Sequence, residues 1–254
     1  MVKISTSPPS PLSPKRWPAE SFRWYWSLGF GVLVLAAQLL PGAIVEAGML
    51  LSGAARLQDL RMLSWPTIIA TLVSYAVALA VVFGLLPLLA QRSLRELGLR
   101  APRLTDLAWA LGGAIAMVAV AAFVGALQER VVHLKADEVQ VHMLRAARGS
   151  IVGGFVFIAC VAAPFFEELA FRGFVFNALL RYLPVWLAVP LSGVLFGCAH
   201  WLPGNQGAIA PLAVIGMVLA ALYYRTASLI PVMLAHALFN SLTVVAVVVL
   251  HQQF

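Results

Sequence analysis

The chain has 254 residues, of which 62% are hydrophobic and only 11% are charged, so it is far more apolar than a soluble domain. The net charge of +7 does not indicate nucleic acid, because the basic residues fall in short loops beside apolar runs, where membrane topology places them. The composition predicts an all-α, polytopic helix bundle embedded in the lipid bilayer.

The predicted elements begin with residues 1–23, a Ser/Pro-rich and basic segment that is typical of a disordered cytoplasmic lead. No cleavage-like site follows the first apolar run, so we expect this run to be a retained span. A span needs roughly 20 apolar residues. Seven spans are predicted: Trp24 to Val45, Trp65 to Leu89, Leu107 to Leu127, Ile151 to about Leu180, Val185 to Trp201, Ala208 to Tyr224 and Leu229 to Leu250. An eighth would be added if Glu46 to Leu63 forms its own short helix.

The distribution of positive charge predicts that the N-terminus is cytoplasmic. With this orientation most of the 17 lysines and arginines fall on the cytoplasmic side, as the positive-inside rule requires. The cationic stretch Ala90 to Asp106, punctuated by Gly98 and Pro102, is interpreted as a topological anchor. The chain thus divides into the lead (1–23), N-terminal helices and loops (24–150), and a C-terminal bundle (151–254).

Two further features are interpreted as structural. The stretch Gln128 to Ser150 is the longest polar connection, and we do not expect its histidines to bind metal, because nothing pairs them at ligand spacing. Cys160 and Cys198 lie inside predicted spans, where a thiol behaves as a small apolar residue, so neither is expected to form a disulfide or to bind metal.

Two adjacent glutamates, Glu167 and Glu168, lie within one long apolar run. A buried carboxylate costs several kcal/mol in hydrocarbon, so such residues are candidates for function and need a partner. Arg172 follows Glu168 by one helical turn, which favours an ion pair between them. Glu167 points about 100° away around the helix, so it is left free for proton transfer.

Later spans carry two more polar pairs. Phe196 and His200 lie four residues apart at the end of the fifth span, where a GxxxG pattern allows a neighbouring helix to approach closely. His236 and Asn240 share one face of the last span. Hydrolysis of a peptide bond needs water activation, oxyanion stabilisation and protonation of the leaving amine, and these residue types supply all three.

The three motifs, EExxxR, FxxxH and HxxxN, occur in this order in separate apolar spans. In this respect the chain resembles the CPBP family, the CAAX protease and bacteriocin-processing group that includes the type II CAAX prenyl endopeptidases. The resemblance covers residues 151–254, and Gly173 also fits the common "FRG" of the family. It implies an intramembrane endopeptidase acting on membrane-associated peptides or proteins, with a prenylated CAAX peptide as the type substrate.

Carried over residue by residue, the resemblance implies that Glu167 and His200 activate the attacking water. His236 and Asn240 would stabilise the oxyanion, Glu168 and Arg172 would hold the site in shape, and Phe196 would pack the pocket. Cofactors are not expected, although Glu167, His200 and His236 would suit a zinc ion with water as a fourth ligand. We favour the glutamate-type mechanism without metal.

Alternative hypotheses remain open at this point. Glu167 could titrate in a proton-coupled transporter, or the chain could be a non-catalytic peptide-binding or bacteriocin-immunity protein. The candidate site also poses a geometric problem. At 1.5 Å per residue His200 lies about 25 Å from the predicted cytoplasmic end of its span, but His236 lies only about 10 Å from its own. Strong tilts, a broken helix or spans that enter the membrane later than predicted would be needed to bring them together.

Overall fold

The computed structural model describes residues 24–56, 64–85, 88, 94–136, 138–201 and 204–249. Within these ranges the regular structure is entirely helical. The predicted lead, residues 1–23, lies outside them. Of the stretch considered for an eighth span, residues 46–51 continue the first helix, and residues 57–63 lie outside the described part.

The described chain forms eight main helices, besides two short 3-10 helices, Leu94–Leu97 and Gln206–Ala208. In order they are α1 (Trp24–Leu51), α2 (Trp65–Leu85), α3 (Leu104–Val132), α4 (Val139–Ala146), α5 (Ser150–Tyr182), α6 (Val185–Ala199), α7 (Ile209–Thr226) and α8 (Leu229–Val248). Six of them, all except α4 and α6, have the length and apolar composition of membrane spans. The all-α, multi-pass bundle is therefore confirmed. The fifth predicted span is the short helix α6, whose length of about 22 Å is less than the roughly 30 Å of bilayer hydrocarbon.

The first two helices pack against each other and against the middle of α5. Ser74 of α2 is buried, and its Oγ accepts a hydrogen bond of 2.7 Å from the backbone N–H of Gly42, next to the proline inside α1. Further along α1, the rings of Phe30 and Phe174 lie 5.8 Å apart. These contacts place α1 and α2 along one side of the glutamate-bearing helix.

Helix α5 is continuous from Ser150 to Tyr182 but is not a regular α-helix. Two π-helical segments, Ile158–Ala162 and Leu169–Phe176, flank the short α-helical stretch Ala163–Glu168. Residues 168–178 are all buried, so this half of α5 is surrounded by other helices. The wider turns shift the side-chain register on either side of the glutamate pair, and such bulges occur often at functional sites.

Glycines bring α6 and α7 into close contact. A Cβ at Gly197 would stand 2.6 Å from the Ile209 carbonyl oxygen, and a Cβ at Gly216 would stand 2.9 Å from Gly193 Cα. The GxxxG pattern therefore does provide the close helix approach that the sequence predicts. It holds the C-terminal end of α6, which carries Phe196 and His200, against the bundle.

Helix α8 begins deep in the bundle. The backbone N–H of its first residue, Leu229, donates to the Gly98 carbonyl, and its side chain packs 3.7 Å from the Cβ position of Gly173. Leu229 is thus level with Gly173, nine residues before α5 ends, which corresponds to about 13 Å. Adding the rise from Leu229 places His236 about 24 Å from that end of the bundle, the same depth as His200. The deep start of α8 resolves the geometric problem.

The predicted polar connection from Gln128 to Ser150 is only partly a loop. Helix α3 extends to Val132, and residues 139–146 form the amphipathic helix α4. Val141, Met143 and Leu144 of α4 line a cavity in the bundle. The expectation of a loop is wrong here, because covering the cavity with these apolar side chains stabilises a helix that is too short to form alone.

Candidate functional site

Helix α5 places its two glutamates in different surroundings. Glu168 and Arg172 are completely buried, and the Arg172 Nη1 atom lies 3.0 Å from the Glu168 Oε1 atom. Arg172 also donates from Nη2 to the Gly216 carbonyl at 3.0 Å, and its guanidinium carbon lies 4.6 Å from the centre of the Phe196 ring. The predicted intrahelical ion pair is present, and it connects α5 to α6 and α7.

The buried carboxylate of Glu168 also binds His236. The Nδ1 atom of His236 lies 2.8 Å from the Glu168 Oε1 atom, and since an ionised carboxylate only accepts hydrogen bonds, Nδ1–H is the donor. This bond joins α8 to α5 and orients the imidazole. The Nε2 atom of the same ring is left on the cavity side.

Glu167 faces His200. Its Oε2 atom lies 3.7 Å from the His200 Nε2 atom, is itself buried, and makes no hydrogen bond to a described residue. The Nδ1 atom of His200 lies 2.8 Å from the Phe196 carbonyl, and because a carbonyl cannot donate, Nδ1 carries the proton. In the neutral ring, Nε2 therefore presents its lone pair towards Glu167. At 3.7 Å the two atoms are too far apart for a direct hydrogen bond, so a proton would pass between them through a water molecule.

Asn240 lines the same cavity but is directed at α5. Its Nδ2 atom donates a hydrogen bond of 2.7 Å to the carbonyl of Ala159, which lies in the first π-helical segment. One of the two amide hydrogens is therefore engaged, and one remains. The structure brings Asn240 to the wall of the site without a direct bond to His236 or to either glutamate.

These side chains surround a cavity of about 310 Å³. Glu167, Phe196, His200, His236 and Asn240 all line it, whereas Glu168 and Arg172 lie behind its wall. The volume is at the lower end of the range for small-molecule sites.

Sequence reasoning missed several residues of this cavity. Helix α2 contributes Thr67, Thr71 and Tyr75, and the residue before α4 contributes Glu138. The i, i+4 spacing of the two threonines in an apolar helix was the available signal for α2. For Glu138 the available signal was weaker, an acidic residue directly before a short amphipathic stretch.

The side chains considered for a zinc ion have other contacts in the structure. Among the described residues, no three His, Cys, Asp or Glu side chains are placed to share a metal ion. His236 donates a hydrogen bond from Nδ1 to Glu168. The centre of the Phe196 ring lies 4.7 Å from that of the His200 ring and 5.9 Å from that of the His236 ring. Cys160 and Cys198 are both free thiols.

The fold and the site together define a multi-pass helical membrane protein with a carboxylate–imidazole pair at an internal cavity. A comparison with protein families is consistent with this class. The family model for type II CAAX prenyl endopeptidase Rce1-like proteins matches residues 149–242, which include all three motifs. These residues carry an Rce1-like domain, and at family level the match supports a CAAX-type intramembrane endopeptidase, a protease. No curated protein and no solved structure gives a significant match.

Proposed function

We propose that this protein hydrolyses peptide bonds of membrane-associated peptides or proteins, with water activated by Glu167 and His200 and without a metal ion. The observation that carries the proposal is the 3.7 Å approach of Glu167 to His200 at the wall of the cavity. Glu167 Oε2 has no hydrogen bond to a described residue, so it is available to a water molecule. A prenylated CAAX peptide is one substrate of this class.

The first step forms the new carbon–oxygen bond. Glu167 or His200 Nε2 accepts a proton from water as its oxygen attacks the scissile carbonyl carbon. Both groups are within reach of a single water, and His200 is held in the required tautomer by the Phe196 carbonyl. The carbonyl π electrons move to its oxygen and produce a tetrahedral oxyanion.

The second step breaks the carbon–nitrogen bond. In this scheme the imidazolium form of His236 donates from Nε2 to the oxyanion, while its Nδ1–H keeps the bond to Glu168 that orients the ring. The remaining amide hydrogen of Asn240 provides a second donor. The proton taken from water then passes to the leaving amine, which restores Glu167 and His200. The roles of Glu168, Arg172 and Phe196 in this scheme are to position His236 and to shape the cavity.

A cleavage assay with lipid-tethered peptides tests the proposal on the full chain in nanodiscs. Glu167→Gln should reduce the rate by roughly 10²- to 10⁴-fold, the usual contribution of general base catalysis. Glu129→Gln, the same substitution at an exposed position near the end of α3, is the matched control and should retain activity. Cleavage should also survive a strong chelator. Equal activity of Glu167→Gln and the control would refute the catalytic role.

Orientation determines which substrates the cavity can receive. If the successive spans α1, α2 and α3 cross the bilayer in alternating directions, α4 follows on the side opposite to the start of α1. We propose that the N-terminus is cytoplasmic, as the charge pattern indicates, so that α4 and the adjacent part of the cavity face the other side. Reporter fusions at both termini and in the loop after α4 test this orientation. A cytoplasmic α4 would contradict it and would favour cytoplasmic lipidated tails as substrates.

A further inference from the structure

Glu138 lies at the start of α4 and lines the same cavity as Glu167 and His200. Its position is the N-cap, but its side chain makes no capping hydrogen bond. The cap is supplied by Asn205, whose Oδ1 accepts a bond of 3.1 Å from the Val139 N–H. A residue from another part of the chain thus takes over the capping role, and the Glu138 side chain is left to face the cavity.

Asn205 also fixes Glu138 relative to the proposed catalytic pair. It is buried, and its Nδ2 donates to the His200 carbonyl at 2.8 Å. One side chain therefore holds both the first turn of α4 and the backbone of His200. The position of Glu138 next to the site is defined by hydrogen bonds and does not depend on loose packing of α4.

The Glu138 carboxylate has no lysine or arginine partner in the described part of the chain. No hydrogen bond or ion pair joins it to a described side chain. Arg172, the buried cation of α5, is engaged by Glu168 and the Gly216 carbonyl and does not line the cavity. Burial raises the pKa of Glu138, and the negative charge of Glu167 raises it further, while His200 and His236 act in the opposite direction. A half-buried carboxylate of this kind is stabilised most by a cation from outside the protein.

We propose that Glu138 is a specificity-determining residue that binds a cationic side chain, lysine or arginine, of the substrate segment lying in the cavity beside the scissile bond. This inference rests on the proposed endopeptidase function, because it assigns one contact of the same site. An ammonium or guanidinium group would satisfy the free oxygens with charge-assisted hydrogen bonds. A peptide with a neutral side chain at that position would leave the carboxylate unpaired.

A binding experiment tests this contact independently of turnover. The Glu167→Gln chain in nanodiscs is titrated with lipid-tethered fluorescent peptides in which lysine, or the neutral and similarly shaped norleucine, is placed at successive positions. At one position lysine should bind roughly 10- to 100-fold tighter than norleucine. The preference should disappear in Glu167→Gln/Glu138→Gln and persist in Glu167→Gln/Glu129→Gln. No preference at any position, or one that survives Glu138→Gln, overturns the proposal.

Cleavage by the active chain provides the second measurement. Glu138→Gln should reduce the ratio of kcat/KM for lysine over norleucine peptides towards one, mainly through KM. An equal loss of kcat on both peptides would mean that Glu138 acts on Glu167 or His200, and it would overturn the specificity role. Because the Glu138 carboxylate loses its charge as the pH falls through its raised pKa, the preference for lysine should weaken at acidic pH. The titratable groups that face Glu138 across the cavity are Glu167, His200, His236 and Tyr75. If no peptide is cleaved, the proposed function fails while the binding result still decides the role of Glu138.

Discussion

The ion pair between Glu168 and Arg172 permits a quantitative prediction about stability. Arg172→Met removes the guanidinium but keeps most of the side-chain volume. Three contacts are lost: the bond to Glu168 at 3.0 Å, the bond to the Gly216 carbonyl at 3.0 Å, and the stacking on Phe196 at 4.6 Å. Glu168 remains completely buried beside His236 with its negative charge only partly compensated.

The expected magnitude follows from this burial. Removing one partner of a buried pair costs about 3–5 kcal/mol, because an uncompensated charge is left behind. Replacing both partners with neutral groups of similar volume is often close to neutral. We therefore expect Arg172→Met to lower the free energy of unfolding by about 3–5 kcal/mol, and Glu168→Gln/Arg172→Met to recover most of this loss.

The measurement is reversible unfolding in mixed micelles with increasing SDS, followed by far-UV circular dichroism. Wild type, the two single variants and the double variant form a complete double-mutant cycle. The coupling energy should be of order 2 kcal/mol or more, within the range for residues in one ion-pair network. A double variant as unstable as Arg172→Met alone would refute the reasoning, since the loss would then come from packing and not from an unpaired charge.

Three further predictions concern positions outside the proposed chemistry. Gly197→Ala should lower the free energy of unfolding by about 1–3 kcal/mol, because its Cβ would collide with the backbone of α7. Gly153→Ala, where nothing lies within 4 Å of the added Cβ, should be neutral or stabilising. Similar effects at both sites would contradict the packing argument. Tyr223→Phe should cost about 1–3 kcal/mol in the same assay, because the buried hydroxyl donates to the Leu97 carbonyl, and a variant as stable as wild type would show that water replaces it. Asn205→Ala should accelerate amide hydrogen exchange in α4 at least several-fold without changing exchange in α3, and unchanged protection would exclude its role as the cap.

The parts of the site that could be predicted from the sequence are those set by local spacing. Glu168 and Arg172 are one turn apart, so their ion pair follows from helix geometry alone. The GxxxG pattern likewise predicts the close approach of α6 at Gly197, since it depends only on the absence of a side chain. Long apolar runs indicate membrane helices, because the thickness of the bilayer fixes the length of a span.

The rest depends on contacts between distant parts of the chain. The bond between His236 and Glu168 requires α8 to begin level with Gly173, and no pattern within α8 encodes that depth. The π-helical turns around Glu167 are equally invisible, because π and α segments share the same apolar composition. The sequence does not predict that Glu138 lines the site, because α4 is too short to be recognised as a stable helix without the cavity that it covers.

The deep start of α8 has a consequence for how the protein tolerates sequence change. The Gly98 carbonyl accepts hydrogen bonds from both the N–H of Leu229 and the hydroxyl of Ser228, and the φ of Gly98, +84°, is one that other residues rarely adopt. Gly98, in the connection between α2 and α3, therefore fixes where α8 begins and so the depth of His236 in the bundle. Chimeras that exchange this connection for another cationic loop of the same charge would keep the membrane topology yet displace the histidine, so grafting experiments should preserve its length and its glycine.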